Sequence, residues 1–151
     1  MKNLILSTFA LLVSVQLSSA SLLEDLVGKW TVNRTEPGVR ITTVFKRVGK
    51  KGLVANSTTI VPGLSRSIGV TNYRANGTVS GNVKRDGVVQ NTISGTWRIS
   101  GNKLTETVVI TSPLFGEVDQ KTTVTLANPN KLKTVNILDG SRTTGTLSRN
   151  R

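Results

Sequence analysis

The sequence predicts an all-β fold: a single antiparallel up-and-down β-barrel of roughly eight to ten strands that follows a signal peptide and a short N-terminal helical turn. Three observations predict it. From Gly28 onward Thr, Val and Ile dominate and no helical periodicity persists. Turn residues recur roughly every 8 to 12 positions, and the short connections force sequence neighbours to pair antiparallel. We prefer a barrel to a sandwich because closure removes the exposed strand edges that would promote aggregation.

The first residues have the pattern of a secretory signal peptide. A basic start, an apolar run over 4–17 and small residues up to Ala20 predict cleavage after Ala20. We therefore expect a signal peptide over 1–20, a barrel domain over 21–151, and a secreted protein, either extracellular or periplasmic. A membrane anchor is disfavoured because the run is shorter than the roughly 20 apolar residues that span a bilayer.

The mature chain begins with a helical turn, since Ser21 and Glu24 have the spacing of a capping box. Asn-Gly and Asp-Gly pairs at 76–77, 86–87 and 139–140 favour two-residue hairpin turns, in which both central residues need a positive φ. Two longer breaks, at residues 61–64 and 112–116, are expected at the mouth of the barrel. The predicted strands cover 28–35, 39–48, 52–61, 67–75, 77–85, 88–100, 102–112, 117–127, 131–138 and 142–149.

Alternation along the strands assigns their inner faces. Glu106 is the carboxylate that falls in an apolar inward row, where burial would raise its pKa unless a cation such as Arg98 or Lys121 compensates. The alternative is a register shift of one residue that turns Glu106 outward. The predicted inward rows are 39, 41, 43 and 45; 79, 81 and 83; 93, 95, 97 and 99; 104, 106, 108 and 110; and 122, 124 and 126.

Composition restricts the chemistry. The chain contains no His and no Cys, which excludes Ser-His-Asp and Cys-His catalysis and the usual zinc sites. We expect no enzymatic activity and no cofactor; a lyase or isomerase that uses Glu106 or Tyr73 is the alternative. Because small secreted folds with weak cores depend on disulfides, an exported chain without cysteine favours a well-packed closed barrel.

The 20 Lys and Arg against 8 Asp and Glu give a net charge of +12 that is dispersed along the sequence. Such a surface serves solubility, or it attracts anionic glycans or lipid headgroups. Nucleic acid is not an expected partner because there are too few aromatic residues to stack on bases. After the signal peptide, no apolar stretch is long enough to span a membrane as a helix.

The segment Leu26-Val27-Gly28-Lys29-Trp30-Thr31-Val32 resembles the opening motif of the lipocalin and calycin group. Bacterial lipocalin-like domains are the most similar, and the avidins share the Gly-Lys-Trp-Thr start. The resemblance implies that Trp30 closes the barrel floor and that a cation from the last strand packs across its indole. Arg149 has the matching position, with Arg142 as second candidate, so Gly28, Trp30 and Arg149 form the structural signature. Biotin is not expected, because the aromatic residues of the avidin site are missing.

Ligands of barrels usually bind near the mouth. We expect a site in the lumen near the open end, and the main hypothesis is a lipocalin-like protein that holds a small, partly apolar molecule there. The alternative is a basic envelope or extracellular protein that binds anionic glycans or lipid headgroups through its outer surface. The residues predicted to line the lumen are Phe45, Tyr73, Trp97, Glu106 and Val108.

Overall fold

The computed structural model of the chain describes residues 19–32 and 38–150. Nearly all of the predicted signal peptide lies outside this range, so its cleavage stays a prediction. In the described part, one helix precedes ten strands: α1 (Ser19–Leu26), β1 (Gly28–Val32), β2 (Arg40–Val48), β3 (Gly52–Ile60), β4 (Ser67–Tyr73), β5 (Thr78–Arg85), β6 (Val88–Ser100), β7 (Lys103–Ser112), β8 (Gly116–Asn128), β9 (Lys131–Leu138) and β10 (Ser141–Arg149). None of the helical structure described is long and apolar enough to cross a membrane.

The ten strands form one closed antiparallel barrel. Each strand pairs with its neighbours in sequence, and β1 closes the barrel by pairing with β10, with Trp30 opposite Arg149. The predicted all-β up-and-down barrel is confirmed, and the strand ends lie within two residues of the predicted ones wherever the structure describes them. The predicted extension of the first strand to residue 35 falls outside the described residues.

Two of the three predicted tight turns have the expected geometry. Asp86 and Asp139 take positive φ of 52° and 45°, each followed by a glycine at 78°. The prediction for 76–77 is wrong, because only Gly77 takes a positive φ there. The chain instead makes a four-residue turn, in which the side-chain oxygen of Asn76 accepts hydrogen bonds from the backbone N and the hydroxyl of Thr78 at 3.0 and 2.7 Å.

The alternating strand directions give the barrel two different ends. At the capped end lie α1, the end of β10 and the turns at 49–51, 74–77, 101–102 and 129–130. At the opposite end, the mouth, lie the connections at 61–66, 86–87, 113–115 and 139–140, so both longer breaks fall where they were expected. Large apolar side chains at the mouth are exposed, among them Leu64, Phe115 and, at 87%, Leu114.

The hydrophobic core lies at the capped end. Helix α1 buries three leucines, which belong to the same core cluster as leucines from the neighbouring strand ends and the fully buried Trp30. Each such side chain contributes roughly 1.5–3 kcal/mol by leaving water. The helix begins at Ser19, two residues earlier than the predicted cap, so Ser21 lies inside it and its hydroxyl donates to Asp25 at 3.3 Å.

Two glycines allow neighbouring strands to approach closely on one side of the barrel. A Cβ at Gly95 in β6 would lie 2.2 Å from the carbonyl oxygen of Thr107, and one at Gly81 in β5 would lie 2.3 Å from that of Val70. Only glycine fits at these positions. The residues of β5 and β6 do not line the internal cavity, which lies against the other eight strands.

Candidate functional site

A cavity of about 670 Å³ lies inside the barrel. This volume falls within the roughly 300–1,000 Å³ that is typical of small-molecule sites. Hydroxyl-bearing Thr and Ser side chains from six strands line it, together with a smaller number of amide and carboxyl groups. The larger apolar residues of its wall are Val32, Ile41, Phe45, Val124, Leu132 and Leu147. The cavity is therefore amphipathic and suits a partly apolar molecule that also forms hydrogen bonds.

Glu106 points into this cavity and accepts a hydrogen bond from a residue on a strand that is not its neighbour in the sheet. The hydroxyl of Tyr73 in β4 donates to Glu106 Oε2 in β7 at 2.9 Å, although two strands separate β4 from β7 in the sheet. Thr122, directly opposite Glu106 on β8, forms a second hydrogen bond to it, and Gln120 Nε2 donates to Thr122 Oγ1 at 2.9 Å. The inward orientation of Glu106 is confirmed, and the alternative register is wrong.

The hydroxyl groups of Tyr73 and Thr122, and not cations, stabilise the charge of the buried Glu106 carboxylate. Both cations considered from the sequence, Arg98 and Lys121, are exposed. Burial raises the pKa of Glu106, while its hydrogen bonds with Tyr73 and Thr122 oppose that shift. The pKa of Tyr73 is raised well above its usual value, mainly because Tyr73 is itself buried and secondly because the Glu106 charge is nearby. Tyr73 therefore remains a protonated donor at physiological pH, and Glu106 is a carboxyl group whose ionisation depends on what lies beside it.

Asn136 contributes an unpaired polar atom to the same wall. It lies on β9 directly opposite Thr122 and lines the cavity. Its Oδ1 is buried and has no hydrogen-bond partner among the described residues. Leaving a buried acceptor unpaired costs roughly 1–3 kcal/mol. Asn136 is not among the residues predicted to line the lumen, although alternation from the inward Leu132 through Thr134 places it on the inner face.

The structure brings together three of the five predicted lumen residues: Phe45, Tyr73 and Glu106 line the cavity. Trp97 and Val108 face inward but do not line it. Val108 is only 3% exposed, in the core. These two residues do not have the positions that were expected for ligand contacts.

Trp97 lies nearer the capped end than the cavity does. Tyr73 pairs with Val79 and Val79 with Gly95, so Trp97 is two residues beyond the level of Tyr73. Its ring packs edge-on against Tyr73, with centroids 5.5 Å apart, and its Nε1 donates to the Arg74 carbonyl at 2.8 Å. It lines a separate cavity of about 220 Å³, together with Leu23 of α1.

The three signature residues meet at the capped end. The guanidinium carbon of Arg149 lies 4.4 Å from the centroid of the fully buried Trp30 ring, and a Cβ at Gly28 would lie 3.2 Å from Arg149 Nη1. Arg149 also donates to the carbonyls of Val27 at 2.9 Å, Pro129 at 2.8 Å and Asp25. The second candidate, Arg142, is exposed near the mouth end of β10.

No protein-family model matches this chain, and no curated protein matches it. Solved structures that are similar in fold to this chain include two that cover most of it. Rv2717c from M. tuberculosis is 16% identical with a TM-score of 0.53, over 88% of this chain and 98% of that one. The redesigned β-barrel b11L5F_LGL is 19% identical with a TM-score of 0.52, over 86% of this chain and 96% of that one. These matches support the closed barrel. They do not support the lipocalin family itself, whose barrels have about eight strands.

Proposed function

We propose that the protein is a secreted, lipocalin-like carrier that binds a small, partly apolar molecule inside its barrel. The observation that carries the proposal is the cavity of about 670 Å³, whose wall combines apolar side chains with hydrogen-bonding groups. Binding sites for small molecules combine a largely apolar enclosure with a few placed polar groups. The exposed apolar side chains at the mouth, such as Leu114 and Phe115, suit the entry of an apolar molecule.

The composition of the wall supports binding over simple packing. A small barrel interior that only stabilises the fold is filled by side chains and leaves little empty volume. Here Glu106, Asn136 and Gln120 face the interior, and one acceptor atom is unpaired among the described residues. Burying polar groups lowers stability unless they are hydrogen-bonded, so their position beside an unfilled volume favours a role in contacting a ligand.

A panel of fatty acids, alkyl alcohols and retinol, measured by equilibrium dialysis, tests the proposal. Ala55 lines the cavity and Val54 lies on the other face of β3. Ala55→Leu extends an apolar side chain into the cavity and should weaken binding about tenfold, equivalent to about 1.4 kcal/mol. Val54→Leu is the matched control and should bind as the wild type does. Failure of every probe to bind, or equal binding by Ala55→Leu, would refute the proposal.

A second candidate function is attachment to an anionic surface, and the distribution of charge favours it. Although the cations are dispersed in the sequence, the exposed ones among the described residues lie mainly at the capped end. Nearby, Glu24 lies 3.3 Å from Arg47 in an ion pair, and Asp25 is the other acid of α1. The exposed cations at this end are Lys29, Lys46, Lys50, Lys51, Arg74, Arg98, Lys103, Lys131 and Lys133.

Charge reversal tests this second function with an internal control. The capped-end variant carries Lys50→Glu, Lys51→Glu, Lys103→Glu and Lys131→Glu. The mouth variant carries the same number of changes, Arg40→Glu, Arg66→Glu, Lys84→Glu and Arg142→Glu. Long-range attraction depends on local charge and is screened by salt. The capped-end variant should therefore elute from heparin, and dissociate from anionic vesicles, at a lower salt concentration than the mouth variant does. Equal losses in both variants would exclude a localised surface.

A further inference from the structure

We infer that the cavity selects an apolar molecule that carries a hydrogen-bond-donating group, with a primary amine preferred and a carboxylate rejected. This inference rests on the proposed function, because it specifies the ligand chemistry of the same cavity. Its basis is a contrast in charge. The chain carries 20 Lys and Arg against 8 Asp and Glu, yet the charged residue in the cavity wall described here is Glu106, with no Lys or Arg beside it.

The polar groups of the wall form a row across three strands. Glu106, Thr122 and Asn136 lie directly opposite one another on β7, β8 and β9, where adjacent strands are about 4.7–4.9 Å apart. A carboxylate offers about four acceptor positions, and Tyr73 and Thr122 are its hydrogen-bonding partners here. The unpaired Oδ1 of Asn136 adds another acceptor in the same row. Acceptor positions therefore remain open along this part of the wall, on the Glu106 carboxylate and on Asn136 Oδ1.

An alkylammonium group complements this row, because it has three donors, no acceptor and a positive charge to place beside Glu106. An alcohol offers one donor and no charge. A ligand carboxylate would bring a second negative charge next to Glu106, and two neighbouring carboxylates in a site of low polarity do not both ionise readily. The apolar residues Phe45, Val124, Leu132 and Leu147 are available to contact the hydrocarbon part in each case.

Dodecylamine, dodecanol and dodecanoate test the inference, since they share one alkyl chain and differ in the head group. Dissociation constants are measured by calorimetry at neutral pH, about 0.15 M salt and concentrations below micelle formation. We expect the amine to bind at least about tenfold more tightly than dodecanoate, with dodecanol between them. The net positive charge of the protein favours anions at long range, so a preference for the amine must come from the cavity.

Glu106→Gln should remove the preference for the amine over dodecanol, because Gln retains the shape and an acceptor for Tyr73 but carries no charge. Glu117→Gln, at an exposed position near the mouth, is the control and should behave as the wild type does. Asn136→Leu is an independent second variant that removes the unpaired acceptor. It should weaken amine binding about threefold and raise the melting temperature.

The outcomes separate the inference from the function it rests on. Dodecanoate binding as tightly as the amine, or an amine preference that survives in Glu106→Gln, overturns the inference. Equal binding of all three probes, weakened by Ala55→Leu, leaves the carrier function standing and overturns only the selectivity. If none of the three binds, both are overturned.

Discussion

The capped end and the cavity differ in what surrounds their buried polar groups. At the capped end Trp30 is fully buried and donates to the Leu26 carbonyl at 2.8 Å, and Arg149 donates to three backbone carbonyls while it covers the indole. Arg47 Nη1, also at the capped end, has no hydrogen-bond partner among the described residues, but the same guanidinium forms an ion pair with Glu24. In the cavity, Asn136 has an unpaired oxygen and Glu106 faces open volume. The first region stabilises the fold, and the second is the region where an added molecule would improve the hydrogen bonding.

The largest effect is expected from Trp30→Ala. Truncating this fully buried aromatic side chain should lower the free energy of unfolding by about 3–5 kcal/mol, measured by urea denaturation. Under conditions where the variant is folded, ligand affinity should be close to that of the wild type because Trp30 does not line the cavity. A loss below about 1 kcal/mol would contradict the structural role of the capped end.

Arg149→Ala should produce the next largest effect, a loss of about 2–3 kcal/mol, because several carbonyls lose a charged donor together. Arg149→Lys keeps the charge but not the planar set of donors, and it should recover only part of the loss. Arg142→Ala, on the same strand near the mouth, is the matched control, with an expected change within about 0.5 kcal/mol. Equal effects of the two alanine variants would remove the distinction between the ends of β10.

Trp97→Phe should have a smaller effect on stability, about 1 kcal/mol, because it removes the hydrogen bond to the Arg74 carbonyl and retains an aromatic ring against Tyr73. The sequence pattern predicts that Trp97 contacts the ligand. Its position outside the main cavity leads to the opposite expectation, that affinity changes less than stability does. Titration of the folded variant with dodecanol checks this expectation. A large loss of dodecanol affinity would indicate that Trp97 contacts the ligand after all.

The smallest effect on stability is expected from Glu106→Gln, and the size of this effect depends on pH. Its pKa in the folded protein lies above the ordinary value of 4.5, so the unfolded chain loses the proton first as the pH rises. The contribution of Glu106 to stability is therefore greatest below that ordinary pKa, and it is lost as the pH rises through the folded-state pKa. Glu106→Gln should abolish this decline in urea titrations from acid to neutral pH. Glu117→Gln should leave it unchanged; a pH profile that is identical in the wild type and Glu106→Gln would exclude the effect.

The sequence predicted the fold well because short turns and alternation are local properties. Turn residues restricted the strand ends to within two residues, and alternation placed Glu106 on the inner face. Alternation does not report the level of a side chain along the barrel axis, which is why Trp97 and Tyr73 were both assigned to one site. The strands β5 and β6 do not contribute to the cavity wall. They approach their neighbours closely at Gly81 and Gly95, and these approaches depend on the positions of adjacent backbones, which the sequence does not report.

The pairing of β1 with β10 also has a consequence for how the barrel folds. Most strand pairs join sequence neighbours through short turns and form early at a small cost in loop entropy. The closing contact is different, since Arg149 binds the carbonyl of Val27 across 122 residues of chain. Long-range contacts of this kind slow folding, so the floor of the barrel is expected to close last. A nascent chain then remains an open sheet until β10 has been synthesised.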